Sequence, residues 1–391
     1  MMDHVDALMA ALQGVIDDTI PLNRRHRLEL GRDIRVLWED LTSEKERRTS
    51  EYLGTPAYYS AYVRYFLPWN ILRLASIFIK LPLELKDGSV AVDIGSGPLT
   101  LPIALYAARP ELRRLAITFY CTDRTDKIIK LGQTIFESLA ARLTGAPLAW
   151  KIVTVHLPFG ARLPEKVDLL TAANVFNEFF WKGREPLADR AMATARQLTA
   201  YLKDSASIFL MEPGDPRSGS FISAIRAALG RSGFHAVAPC PHQSDCPMPG
   251  MFGGLDRSRE SAPNVVMPRR RDKYPWCHFT TGAEKAPLWL AKLSEEAKLP
   301  KDKLVYSYLL SARGCPKPDE SKIRIVSEKF ALPGGASGRY ACSVKGYTLV
   351  RYNPERTALA SGDLIDVSGR PPRDPALPAT DEKSGAILLS Y

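Results

Sequence analysis

Apolar residues Val5, Leu8, Met9, Leu12, Val15 and Ile16 recur at spacings of three and four, which predicts an amphipathic helix ended by Pro21. A second segment of that kind carries Leu28, Leu30, Ile34, Leu37 and Trp38, decorated by Arg24, Arg25, Arg27, Arg32 and Arg35. A third carries Tyr58, Tyr59, Tyr62, Tyr65 and Phe66. Residues 1–85 therefore read as a helical N-terminal region, with the aromatics in its core and the arginines on a solvated face. Stacking and charge together would also suit RNA.

From Ser89 the period changes. Short apolar runs at 90–94, 117–120, 152–155, 167–172, 208–211 and 235–238 read as strands. Helical stretches at 99–108, 128–143, 188–202 and 221–229 separate several of them. Strands alternating with helices predict an α/β fold with a parallel sheet and crossover helices, over residues 86–238. Strand-like composition returns at 304–310, so about 300–313 completes this core. Residues 239–275 are rich in Pro, Gly, Arg and Ser without periodicity. So long a structureless stretch needs something other than an apolar core to order it, and 239–299 reads as an insertion. Residues 320–370 alternate strand-like runs with Gly-rich turns, a small β domain. The Pro-rich 371–391 reads as a loose tail.

The 391 residues carry 53 Lys+Arg against 43 Asp+Glu, a net charge of +10. That balance suits a polyanionic partner, most simply nucleic acid, or a basic enzyme. No apolar run approaches the 18 or so residues of a membrane span. The greasiest segment, 71–85, is interrupted by Arg73, Lys80 and Pro82. Asp3, Asp6, Asp17 and Asp18 replace the basic-then-apolar pattern of a secretory signal, so secretion is not indicated and a cytoplasmic location is expected; a monomer is the expected state. Six cysteines are too few for a disulfide scaffold of this length.

Val90-Ala-Val-Asp-Ile-Gly-Ser-Gly-Pro98 resembles the first motif of Rossmann-like S-adenosylmethionine methyltransferases. Gly95 and Gly97 let the backbone approach a cofactor and take positive φ, and the following helix presents free N–H groups. Asp93 can orient the turn or meet the methionine ammonium. Asp123, at the end of the second strand, can accept both ribose hydroxyls. The NAD fingerprint G-x-G-x-x-G/A is not met, because Thr100 stands at its last position and Pro98 follows the second glycine.

The fourth strand ends in Asn174-Val-Phe-Asn177-Glu178. There is neither an Asn-Pro-Pro-Tyr motif nor a cysteine at this edge, so amino-group methylation and the covalent route to 5-methylcytosine are unsupported. Asn174, Asn177 and Glu178 are the candidate catalytic residues; they can equally cap the next helix. Methyl transfer runs largely on proximity and in-line orientation, so the lack of an evident base does not exclude it.

Cys240-Pro-His-Gln-Ser-Asp-Cys246-Pro, followed by Trp276-Cys277-His278-Phe279, falls in or beside the aperiodic stretch. A metal site would supply ordering energy there. Four thiolates complete a zinc site or an iron–sulfur cluster, and Cys342 and Cys315 are the candidates for the fourth. The spacing is neither C-x2-C nor a ferredoxin run. Prolines after Cys240 and Cys246 suit iron–sulfur; His242 and His278 as alternative ligands suit zinc. Candidate ligands spread from 240 to 342 argue for a closed structural site rather than radical chemistry. Cys121, at a strand end, reads as a buried core thiol.

Asp-Ile-Gly-Ser-Gly-Pro, then Met211-Glu-Pro-Gly214, then Ala238-Pro-Cys-Pro-His-x3-Cys-Pro and Trp-Cys-His-Phe occur in one order. This resembles the methyltransferase-like family of mitochondrial small-ribosomal-subunit assembly factors and its bacterial homologues (the Rsm-type family), over roughly residues 52–350. The resemblance implies a Rossmann-like S-adenosylmethionine methyltransferase fold with an N-terminal helical region, a Cys-rich metal-binding insertion and a small C-terminal β domain. It implies a [4Fe-4S] cluster on Cys240, Cys246, Cys277 and Cys342, and work on the small ribosomal subunit. Here 30 residues separate the second and third cysteines, more than the family's usual linker.

Two functions follow as expectations. One is an rRNA methyltransferase holding S-adenosylmethionine on Asp93, Gly95, Gly97 and Asp123. The other is a non-catalytic assembly factor that binds small-subunit rRNA and carries a structural zinc or iron–sulfur site. In either, Arg257, Arg259, Arg269, Arg270, Arg271 and Lys273 would meet phosphates, and affinity would fall with salt.

Overall fold

Helix α1 (Met2–Thr19) forms because its three-and-four spacing gives it one greasy face. Val5, Leu8, Met9, Leu12, Val15 and Ile16 are each at most 2% exposed. The computed structural model describes residues 2–42, 55–155, 159–179, 185–248, 250, 275–314, 319, 321–368 and 380–391. The chain divides into two units: Met1–Lys182 with Tyr201–Ala206 and Gly282–Leu304, and Gly183–Ala200 with Ser207–Thr281 and Val305–Tyr391.

In the first unit, α2 (Arg24–Thr42) buries Leu30, Ile34 and Leu37 and leaves Arg24, Arg25, Arg27 and Arg32 exposed, the solvated face expected. Helices α3 (Pro56–Ala61) and α4 (Leu67–Phe78) join through a π-helical turn at Tyr62–Phe66. Pro68 has no N–H to continue the i→i−4 ladder, and the helix widens just before it, with Leu67 N–H bonded to Tyr62 O. Of the aromatics expected in the core, Tyr65 is buried while Tyr58, Tyr59, Tyr62 and Phe66 are half-buried; Trp69, which the pattern did not single out, is buried as well. The pattern does not reveal Arg64, which is 6% exposed. It pairs with Asp17 and donates to Ile20 O at 2.6 Å.

The sheet begins with β1 (Val90–Ile94), all five residues buried. It continues through α5 (Thr100–Ala108), β2 (Thr118–Thr122), α6 (Asp126–Thr144), β3 (Lys151–Val155), β4 (Val167–Ala173) and the short α7 (Phe176–Phe179). Strand β1 pairs in parallel with β2 and with β4, and Asp93 faces Cys121 on one side and Thr171 on the other. Strand β2 pairs in parallel with β3. Helix α4 packs on α5, and α1 on α6.

In the second unit, α8 (Leu187–Ala200) packs on α9 (Pro216–Arg231). Strand β5 (Leu202–Pro213) begins in the first unit and ends in the second; β6 (His235–Ala238) and β7 (Phe279–Gly282) follow. Helix α10 (Leu288–Glu296) returns to the first unit, where Trp69 Nε1 donates to Ser294 Oγ at 3.2 Å. Strand β8 (Lys303–Ala312) then runs antiparallel to β5 and to β6. The hydrogen-bonded order is β3-β2-β1-β4-β5-β8-β6, with β7 on β8. The alternation predicted a parallel sheet throughout. Strand β8 departs from it, running antiparallel to β5 and β6. The order reverses between β1 and β4, the switch point at which open α/β sheets bind ligands beyond their carboxyl ends.

A second sheet is built from β9 (Lys322–Ile325), β10 (Phe330–Ala331), β11 (Ser337–Ser343), β12 (Gly346–Tyr352), β13 (Leu364–Asp366) and β14 (Ile387–Ser390), in the order β13-β9-β11-β12-β14 with β10 on β11. Ile323, Ile325, Ala341, Val350, Tyr352, Leu359 and Ile365 form its core. The expected loose tail is corrected at its end. Strand β14 pairs in parallel with β12 from Thr348↔Ile387 to Arg351↔Ser390, and Leu389 and Tyr391 pack on the core. Residues 369–379 lie outside the described residues.

Candidate functional site

The carboxyl end of β1 turns sharply into α5. Gly95, Gly97 and Leu99 all have positive φ, at 67°, 51° and 57°. A Cβ on Gly95 would sit 2.5 Å from Val175 Cγ2, whereas at Gly97 nothing lies within 4 Å, so that face of the turn is open. Ser96 N–H bonds Thr122 O at 2.8 Å, and Gly97 N–H donates to Asp123 Oδ2 at 2.9 Å. Asp123 Oδ1 accepts from Thr125 N–H at 2.9 Å. Asp123 thus braces the turn, and each oxygen keeps a further lone pair for a hydroxyl. Gly132 of α6 was not singled out by sequence, yet a Cβ there would lie 2.2 Å from Pro98 C. Only a glycine lets the helix cross the turn so closely.

Asp93 is 1% exposed. Thr171 Oγ1 donates to its Oδ1 at 2.7 Å, and Ser96 Oγ and Thr122 Oγ1 donate to its main-chain oxygen at 2.9 and 3.2 Å. Burial raises its pKa to about 7; hydrogen bonds from Thr171 and Ser96 oppose the rise, and the Asp123 charge adds to it. Among the described residues, no cationic side chain is one of the groups acting on it. On the same strands Val92, Ile94 and Thr122 line a small cavity with Phe159, Ala161, Leu163 and Tyr201.

Asn174 follows β4 directly, in a left-handed conformation at φ 57°, and among the described residues its buried Oδ1 has no donor. Asn177 lies in α7. The side chain of Glu178 lies outside the described residues, as do Cys315 and all of Arg257, Arg259, Arg269, Arg270, Arg271 and Lys273.

The second site lies wholly within the second unit. Four cysteines from separate segments line one cavity: Cys240 and Cys246 from the loop after β6, Cys277 before β7, and Cys342 on β11. The cavity holds about 400 Å³ of space not filled by atoms, its open mouth included. No disulfide links them. Close approaches at glycines bring the segments in. A Cβ on Gly219 of α9 would meet Trp276 Cδ1 at 2.7 Å and Cys277 O at 3.2 Å. Trp276 Nε1 donates to Gly214 O at 2.9 Å, and Ser307 Oγ to Cys277 O at 2.7 Å. Among the described residues no group of three or more His, Cys, Asp or Glu is arranged to hold a metal ion.

Burial, then the neighbouring thiols, push Cys277 and Cys342 well above the usual thiol range; burial also raises Cys246, against the pull of Arg226. His242, 2% exposed, contacts Cys342 Sγ through Nε2 at 3.1 Å. Burial and then Arg226 lower its pKa to about 4, so the ring is neutral at pH 7. His278 stacks on Trp276, with ring centroids 4.9 Å apart, and its Nδ1 faces Trp276 O at 3.1 Å. Arg226 of α9 was missed by sequence reasoning. Its signal is a lone arginine on the apolar face that also carries Ile222, Ile225 and Leu229. Burial works against its charge, and Cys240, Cys246 and Cys342 more than offset that, so its pKa is raised. Cys121 is fully buried on β2 and does not line that cavity.

No curated protein matches the chain. Among solved structures it is similar to a precorrin-6y C5,15-methyltransferase of Geobacter metallireducens (12% identity, TM-score 0.31, 62% of this chain and 86% of that one). It is also similar to a SAM-dependent methyltransferase of Aquifex aeolicus (16%, 0.29, 42% and 80%) and to TrmN of Thermus thermophilus (20%, 0.30, 44% and 47%). The family model Rsm22, described as mitochondrial small ribosomal subunit Rsm22, matches residues 87–252, which include the glycine turn, Cys240 and Cys246 and stop short of Cys277 and Cys342. Over that stretch the chain is similar to the Rsm22 family, the resemblance its motifs suggest.

Proposed function

We propose that this protein is an S-adenosylmethionine-binding, methyltransferase-like factor of the small ribosomal subunit, carrying a metal centre on Cys240, Cys246, Cys277 and Cys342. The observation that carries the reading is Asp93, a carboxylate 1% exposed at the sheet's switch point, with no cationic side chain acting on it among the described residues. A ligand bearing an ammonium group provides the missing charge. When bound, S-adenosylmethionine supplies an electrophilic methyl group. In this proposal Asp93 holds the ligand's ammonium, Asp123 takes ribose hydroxyls on its free lone pairs, and the open face at Gly97 admits the ligand's backbone. Asn174, at the end of β4, is the first candidate to orient a methyl acceptor.

The family match supports the ribosomal setting. We assign rRNA contact to the basic stretch 257–273. Four cysteines line one cavity, and four thiolates complete either a [4Fe-4S] cluster or a zinc site; the likeness of the motifs to the Rsm-type family favours the cluster. The test is calorimetric titration of anaerobically purified protein with S-adenosylmethionine, followed by co-sedimentation with small ribosomal subunits. Saturable binding that Asp123→Ala weakens at least tenfold is expected, together with salt-sensitive co-sedimentation. Wild-type protein that binds neither ligand nor subunit overturns the proposal.

A further inference from the structure

Arg226 is 8% exposed, and among the described residues it makes no ion pair with a carboxylate. Its Nη2 donates to His242 O and Ser244 O, each at 2.8 Å, and among the described residues its buried Nε–H has no partner. Main-chain carbonyls satisfy N–H groups but bring no net charge. A buried guanidinium is strongly disfavoured unless an anion faces it. The cavity it lines contains no carboxylate; its sulfurs are the atoms there that can carry negative charge. Arg324 lines the same cavity. It stands opposite Cys342 in the β9–β11 register, and its Nε and Nη1 go to Pro239 O and Gly362 O, each at 2.8 Å.

We infer that Arg226 and Arg324 are the built-in counter-charge of a dianionic four-thiolate centre. Arg226 also clamps the Cys240–Cys246 loop and directs its free Nε–H at a sulfur. The inference rests on the proposed metal centre. Four thiolates with a [4Fe-4S] core of charge 2+, or with one zinc ion, sum to −2, and two arginines balance that. Hydrogen bonds and charge beside the sulfurs are the levers by which a protein tunes such a centre.

The test uses the full chain, purified without oxygen, as wild type, Arg226→Gln, Arg226→Lys and Arg324→Gln. Metal and sulfide content, the half-life of the centre under a chelator and, for an iron–sulfur centre, the midpoint potential are measured. Arg226→Gln and Arg324→Gln should each shorten the half-life at least fivefold and move the potential to more negative values. Arg226→Lys should retain most of the centre. Glutamine variants with wild-type half-life and potential overturn the inference while leaving the metal centre standing. Equal loss in Arg226→Gln and Arg226→Lys, with Arg324→Gln unchanged, also overturns it, because geometry and not charge would then matter. Wild type without metal refutes the centre itself, and the counter-charge with it.

Discussion

Thr171 Oγ1 donates to Asp93 Oδ1 at 2.7 Å, and the two residues are register partners on β4 and β1. The bond spans the place where the strand order reverses, so the buried carboxylate is fixed where such a sheet receives its ligand. One hydroxyl is too little to offset full burial, and Asp93 stays protonated to about pH 7.

That pKa predicts a pH dependence. Between its ordinary value near 4 and about 7, the folded state binds a proton that the unfolded state has released. Stability of the ligand-free protein is therefore fully present below pH 4 and is lost as pH rises through 7, by at most about 4 kcal/mol for three units. Urea unfolding at pH 5 and pH 8 should show wild type weakening and Asp93→Asn weakening much less. A cationic ligand keeps the carboxylate ionised, so stabilisation by S-adenosylmethionine should grow over the same interval. Identical pH profiles for wild type and Asp93→Asn would remove Asp93 from the argument.

Two glycines near the turn should fail differently. A methyl on Gly132 collides with Pro98 backbone, which cannot rotate aside. Gly132→Ala should therefore cost about 2–3 kcal/mol, as overpacking does, and lower the melting temperature. Gly97 has open space around it, so Gly97→Ala should cost only about 1 kcal/mol for its left-handed φ. Its larger effect should be on ligand affinity, because the methyl enters the open face. Thermal melts and titration of both variants separate the two roles.

The strands and helices of the sheet were legible because period and turn residues agree over segments such as 90–97 and 167–172. The direction of β8 was not, since an apolar run at 304–310 carries no record of its partners. Strand β14 was hidden by the Pro-rich approach to it, although Ile387-Leu388-Leu389 has strand composition. The four cysteines were visible as a set, but not the residues that bring them together. Gly219, Arg226 and Arg324 act through close approach and charge, which only the folded chain reveals. Likewise Asp93 was visible as an acid, while its burial and its bond to Thr171 depend on the pairing of β1 with β4.

Each of Cys240, Cys246, Cys277 and Cys342, changed to Ser, should lower bound metal severalfold. Cys121→Ser should not, since that thiol is sealed on β2. Cys277→Ser should also lower the melting temperature of the anaerobically purified protein, because a bound centre adds its binding energy to folding. Chelation of the wild type should reproduce that shift. An unchanged melting temperature on both treatments would argue that the site contributes nothing to the fold.

Asn174 poses stability against function. Its left-handed φ is strained for a side-chain-bearing residue, and among the described residues its buried Oδ1 has no donor. Glycine takes that conformation freely and removes the orphan oxygen; the gain is partly offset by the greater freedom of the unfolded chain. Asn174→Gly should therefore stabilise the ligand-free protein by about 1 kcal/mol, a rise in melting temperature of a few degrees at most. If the amide is kept because it meets an N–H of the methyl acceptor, the same variant should lose methylation of small-subunit rRNA while still binding S-adenosylmethionine. A variant that is more stable and equally active would mark the strained amide as a packing compromise and take Asn174 out of the reaction. One that is no more stable would refute the strain itself.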